Sequence, residues 1–156
     1  MASLFMEDMS KAVAPGANNI KHYALEAAGT HDLRIKELEL GKSNLGKLFF
    51  TARCTVESTD SDTLEEGSLL DVSFVTSDYC NVEQWNGRVQ AFVADILDLD
   101  VEVLDQAFMD QCCSPEDGDL IGVGFRLESE TYIKKAGINK GKPGTRTRFV
   151  CTEAAD

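Results

Sequence analysis

The sequence predicts an α+β domain that is mainly β, with its elements in the order β-β-β-α-α-β-β. Three observations carry that expectation. From Lys47 to Val56, side chains alternate between two sets with the two-residue period of a half-buried strand. From Val82 to Ile96, apolar residues recur at three- and four-residue steps, the stripe of an amphipathic helix. Between Asp32 and Leu40, the apolar phase flips within one extended run, which requires a bulge or sharp bend.

Met1 to Asn19 reads as a loosely held arm with a short helical tendency, set off by Ala14-Pro15-Gly16. Its Phe5, Met6 and Met9 are expected to dock either on the domain or on a neighbouring chain. The domain proper covers 20–152, and 153–156 form a short acidic tail. The first strand is expected over Asp32 to Leu40. Leu33 and Ile35 lie on one face, Leu38 and Leu40 are in the opposite phase, and the bend falls near Lys36-Glu37. Gly41 to Gly46 reads as a hairpin connection.

The second strand sends Leu48, Phe50, Ala52, Cys54 and Val56 to the core. Lys47, Phe49, Thr51, Arg53 and Thr55 take its other face. Ser58 to Gly67 is a polar turn, and a third strand turns Leu70, Val72 and Phe74 inward. The helical stripe is Val82, Trp85, Val89, Phe92, Val93 and Ile96, which makes Trp85 a core residue. Asn81 is the expected N-cap, with Gln84 completing a capping box. Asp100 is expected to cap a second helix that buries Val101, Leu104, Phe108 and Cys112 and ends at Pro115 and Gly118. Ile121, Val123, Phe125 and Leu127 alternate in the fourth strand, which runs on to Lys134. Lys140 to Gly144 is a turn, and Thr145 to Thr152 is the fifth strand.

At 156 residues the chain fits one domain with a real core. Its apolar runs are only a few residues long, so no membrane helix is expected. Met1 to Gly16 carries Glu7 and Asp8 and no long apolar stretch, so no ordinary secretory signal is expected either. The expected location is the cytoplasm, or the host cytoplasm if the protein is viral. Five cysteines (Cys54, Cys80, Cys112, Cys113 and Cys151) form no CxxC pair, and neither His22 nor His31 lies near one. That spacing does not make a zinc site. Reduced, mostly buried thiols are expected, with an exposed reactive thiol at Cys112 or Cys113 as the alternative.

The net charge of −12 hides a strong asymmetry. From Glu57 to Asp119 there are seventeen acidic residues and one basic residue, Arg88. From Lys134 to Arg148 there are six basic residues and no acid. Local potential, rather than the total, decides what a surface attracts.

Three strands, a helical insertion and a closing hairpin make the connectivity of an OB-type five-stranded barrel. The bent first strand and the long basic hairpin between strands 4 and 5 fit the same scheme. On that pattern, covering roughly Gly29 to Thr152, the chain resembles small phage-encoded single-stranded-DNA-binding proteins of the OB-fold type. The resemblance implies sequence-independent binding of single-stranded DNA, in phage replication or recombination. Binding would use the strand 2–3 face and the loops between strands 1–2 and 4–5.

Such binding needs cations for phosphates and exposed aromatics for stacking on bases. Strand 2 offers Phe49 between Lys47 and Arg53, and the first loop adds Lys42. The hairpin adds Lys134, Lys135, Lys140, Lys142, Arg146 and Arg148, with Tyr132 at its base. Each has a plainer alternative. Phe49 fits equally under the arm or at a dimer contact, and the basic run fits a solvated hairpin tip.

No catalytic constellation stands out: GxSxG and HExxH are absent, and Lys140-Gly-Lys-Pro-Gly144 lacks the first glycine and the Ser/Thr of a phosphate-binding loop. No enzyme activity, cofactor or metal is expected. The carboxylates Asp95, Asp98, Asp100, Glu102, Asp105 and Asp110 do not match a calcium loop and read as a solvated face. The tail is short and lacks the terminal aromatic that many single-strand binders carry. The acidic face therefore becomes the expected surface for replication or recombination proteins, alongside self-association into a homo-oligomer. The competing function is an acidic protein-interaction module, a virion component or a nucleic-acid-mimicking inhibitor, that works through Glu57–Asp119.

Overall fold

The alternation in the middle of the chain builds the middle of a sheet. The chain is described by a computed structural model over residues 3–13, 29–61, 64–78, 80–133, 140–141 and 143–152, with backbone alone at 130–133 and 143–146. Five strands form one antiparallel sheet: β1 (Gly29–Lys42), β2 (Leu48–Thr59), β3 (Leu69–Val75), β4 (Gly124–Ile133) and β5 (Pro143–Cys151), in the spatial order β3-β2-β1-β4-β5. Helices α1 (Val82–Leu97) and α2 (Gln106–Cys113) lie between β3 and β4 in sequence. The element order is the expected one.

The bend in β1 is real and has a structural cause. Lys36 is an extra residue between the Ile35–Cys54 and Glu37–Arg53 pairs, and a second irregularity on β2 falls at Glu57. The bulge reverses the side-chain phase, so Leu33, Ile35 and Leu38 all reach the core despite their odd spacing. After the bulge β1 pairs only with β2, whereas before it β1 also pairs with β4. The strand therefore serves two parts of a coiled sheet.

The inner face is filled by aromatic rings. Phe92 of α1 meets Phe149 edge-on at 4.9 Å, Phe125 at 5.5 Å and Phe74 at 5.4 Å. Trp85 is fully buried and donates its indole N–H to the Phe74 carbonyl at 2.8 Å, which satisfies its polar atom. The edge strands β3 and β5 approach one another through Phe74 and Phe149, whose centroids are 6.5 Å apart. Among the described residues no ladder joins them, so the sheet is open. The expected closed barrel is replaced by a curled sheet whose seam holds side chains, with Phe92 inserted behind it.

Local signals are met unevenly. Asn81 caps α1 and forms the full capping box with Gln84. Val82, assigned to the buried stripe, is exposed because it sits in the first turn, beyond the sheet. The second helix starts later than expected. Asp100 caps only a single 3-10 turn, Val101–Val103, and Val101 is exposed. Asp105 accepts from the Phe108 amide and caps α2. Leu104 alone of the intervening residues turns inward. Ile121 lies in a turn and is exposed, because β4 begins only at Gly124. Gly118 sits where a Cβ would come 2.5 Å from the carbonyls of Cys112 and Ser114, so only glycine lets the chain fold back over the end of α2.

The segment expected to be a loosely held arm is partly core. Phe5 and Met9 are buried, and Phe5 stacks on Trp85 at 5.4 Å. Four of the five thiols are buried, and Cys151 is half-buried. Cys112 and Cys113 are both buried, so neither is the exposed thiol of the alternative reading. Burial pushes the Cys112 thiol up to about 11 and raises that of Cys113 well above its ordinary value. No helix among the described residues is long and apolar enough to cross a membrane.

Candidate nucleic-acid interface

The outer face of β1, β2 and β3 is a set of cross-strand rows. One row is Gly41–Phe49–Val75. The Phe49 ring lies over Gly41, where an added Cβ would sit 3.0 Å from Cζ. The glycine makes room for the ring, and the ring covers the exposed backbone of the glycine. Phe49 is thus half-buried on the outer face, beside exposed Val75. Lys42 ends β1 and Lys47 precedes β2, and both are exposed. The turn between them is tight: Ser43 accepts the Lys47 amide through its hydroxyl and donates its own amide to the Lys47 carbonyl. Leu45 stands at its tip, 83% exposed. This end of the face is apolar and cationic.

Four residues along β2 the chemistry reverses. Arg53 stands opposite Glu37 on β1 and Asp71 on β3. Its guanidinium lies 3.1 Å from Asp71, 3.3 Å from Glu37 and 3.9 Å from Glu39. Hydrogen bonding to Asp71, then the charges of Asp71, Glu39 and Glu37, hold its proton more firmly than usual. One cation among three carboxylates leaves this patch net negative.

The remaining expected cations divide. Arg148 stands opposite Glu128 in the β4–β5 ladder, and Arg146 opposite Glu130. The Arg148 charge also reaches Asp95 on α1, whose carboxyl is pushed up by desolvation and pulled back by that cation. Lys140 is exposed in the turn leading to β5. Tyr132 occupies β4 opposite Gly144, its side chain outside the described residues. Lys134, Lys135 and Lys142 lie outside them altogether. The β4–β5 hairpin projects past the N-terminal end of β1, while the β1–β2 turn sits at its C-terminal end. Lys47 therefore shares the face of Phe49, while Lys42, paired with the inward Leu48, takes the opposite phase at the same end of the sheet. Of the hairpin cations, the described Lys140 and Arg148 lie away from that end.

Other charged residues are paired within the sheet. Arg126 donates to Asp32 at 2.9 Å, and Arg34 bridges Glu57 at 3.1 Å and the Gly122 carbonyl at 2.7 Å. Arg126, then Ser58, hold the Asp32 carboxyl below the usual range. Among the described residues no three His, Cys, Asp or Glu side chains cluster as metal ligands. His31 is buried and shares a 2.6 Å hydrogen bond with Thr59.

Sequence reasoning missed Asn86 and Gln106. Asn86 is fully buried and accepts the Met6 amide at 3.0 Å, and Gln106 donates to the Phe5 carbonyl at 3.0 Å. The one signal is an asparagine beside Trp85 in a helix otherwise paired by apolar steps. In comparisons with known proteins, the chain matches no family and no curated relative.

Proposed function

We propose that the protein binds single-stranded DNA without sequence preference, on an OB-type curled sheet. The observation that carries this reading is the topology: order β3-β2-β1-β4-β5, a helical insertion after β3 and a bulged β1. In OB-type folds the binding face is formed by strands 2 and 3, flanked by the 1–2 and 4–5 loops. The Phe74–Phe149 contact brings the two edges together as a partly open barrel requires. On this face Phe49 supplies the stacking surface and Lys47 a phosphate contact, and Lys42 supplies another from the strand 1–2 turn at its edge. The cations of the 4–5 hairpin, Lys140 among them, add further phosphate contacts. Arg53 contributes least, since a phosphate would have to displace three carboxylates.

The paired carboxylates around Arg53 also favour a second reading, an acidic protein-interaction module. A gel shift with labelled single- and double-stranded oligonucleotides separates the two. Single-stranded binding should weaken as salt rises, with log affinity falling by about 0.7 per phosphate contact for each log unit of salt. Replacing Lys140, Lys142, Arg146 and Arg148 with Gln should lower affinity for all sequences alike and flatten that slope. Absence of binding at low salt would leave the interaction-module reading in place.

A further inference from the structure

The segment 3–13 is held on the helices as a ligand is held in a groove. Phe5 inserts its ring flat against Trp85, with centroids 5.4 Å apart and planes 17° apart, and is 3% exposed. Met9 fills a second position and is 6% exposed. Between these anchors the helices read backbone: Asn86 of α1 accepts the Met6 amide and Gln106 of α2 donates to the Phe5 carbonyl. Asp110 of α2 accepts the Ser3 hydroxyl at 2.6 Å, and the Glu83 carbonyl accepts the Val13 amide at 3.0 Å. Two apolar anchors plus backbone hydrogen bonds are the means by which a groove recognises a linear peptide.

The groove is shaped without help from the segment. Asn86 is oriented by its own donation to the Val82 carbonyl at 2.9 Å. Gln90 donates to the carbonyls of Val101 and Leu104, which fixes α2 relative to α1. If the segment left, the buried Asn86 oxygen would lose its acceptor role and one face of Trp85 would meet water. Both are costs that any copy of the same segment would remove.

We infer that the α1–α2 groove is a receptor for the Phe5–Met9 segment in trans, so that one copy of this chain captures the segment of a second copy. The residues from 14 to 28 join the segment to β1 and span at most about 50 Å when fully extended. That length covers a neighbouring domain as well as the parent one. A tether of this kind gives the parent's own segment an effective concentration on the order of mM. Exchange therefore belongs to conditions in which copies are crowded, and in dilute solution each groove holds its own segment. The inference stands independently of nucleic-acid binding.

A labelled synthetic peptide of residues 1–13 tests the groove directly. Titrated by anisotropy against the full chain carrying Phe5→Ala, it should bind saturably. Wild type should bind it at least about tenfold more weakly, because its own segment competes at high effective concentration. Adding Asn86→Ala to the variant should weaken peptide binding again. A Phe5→Ala chain that keeps a cooperative melt but takes up no peptide overturns the inference.

A second measurement does not depend on that variant folding. Light- and heavy-isotope copies of the full chain, each with a photoreactive phenylalanine analogue at position 5, are mixed at high concentration and irradiated. Mixed-isotope dimers linked into α1 or α2, fading on dilution, are expected. Crosslinks confined to single chains at every concentration overturn exchange.

Discussion

The outer face of β2 carries a phenylalanine at its start and an arginine at its middle, and the two differ in what surrounds them. Phe49 lies over a glycine beside Val75, with exposed Lys42 and Lys47 nearby. Arg53 lies among Glu37, Glu39 and Asp71. In the sequence both sit at alternate positions on the same face and look like parts of one cationic aromatic patch. In the fold, Lys47 beside Phe49 stands exposed, whereas the guanidinium of Arg53 is engaged by carboxylates of both neighbouring strands. A cation's partners, which come from other strands, decide whether it is available, and strand alternation alone does not disclose them.

The largest expected effect tests whether this outer face can be separated from the core. Phe92→Ala removes the ring that meets Phe50, Phe74, Phe125 and Phe149, and should cost about 3–5 kcal/mol in a denaturant melt. Because Phe74 and Phe149 close the seam through that ring, binding should fall together with stability. A loss of binding without loss of stability would mean that the core and the outer face are not divided as described.

Next in size is a pH effect on the same strand, one residue from Arg53. Cys54 points inward and burial pushes its thiol up to about 12, while Cys112 rises to about 11. A folded-state pKa above the unfolded value stabilises the fold fully below the unfolded value of 9.0, and that contribution is lost as pH rises through the folded pKa. Melting temperature should therefore fall between pH 9 and pH 12 as unfolded thiols ionise. A Cys54→Ala, Cys112→Ala double variant should show a shallower fall. Equal slopes would assign the alkaline loss to other groups.

Phe49→Ala sharpens the comparison directly. If the ring stacks on bases, affinity for single-stranded DNA should drop by about 1–3 kcal/mol. The melt should change less, since the ring is only half-buried and rests on glycine backbone. A large stability loss with a proportionate binding loss would make Phe49 a packing residue of the sheet.

Much of this arrangement is legible in the order of residues alone. The two-residue period of Leu48–Val56 assigns both faces of β2, and the phase flip near Lys36 locates the bulge, because each depends only on neighbours along the chain. Asn81 and Gln84 announce the start of α1 for the same reason. What stays illegible depends on contacts between distant segments. Nothing near Arg53 in sequence reveals Asp71 eighteen residues away, and nothing near Phe5 reveals Trp85. The start of α2 is misread because Asp100 and Asp105 are equally good caps, and the inward turn of Leu104 decides between them. Closure is overestimated because strand order does not say whether the edge strands meet by backbone or by rings.

The smallest effect is the most specific to the comparison. Arg53→Gln keeps the length and polarity of the side chain and removes its charge. The pairs it breaks are exposed to solvent, with carboxylate partners between 44% and 53% exposed, so screening keeps their worth low and the melt should barely move. For a cation that contacts phosphate, the loss should cut affinity and flatten the salt slope by about one contact. Arg53 is held by three carboxylates, so the expected slope is that of wild type, while Lys42→Gln or Lys47→Gln lowers it. A salt slope reduced in Arg53→Gln to the same degree as in Lys47→Gln would show that the arginine leaves its carboxylates for phosphate, and the start and middle of β2 would then form one binding surface.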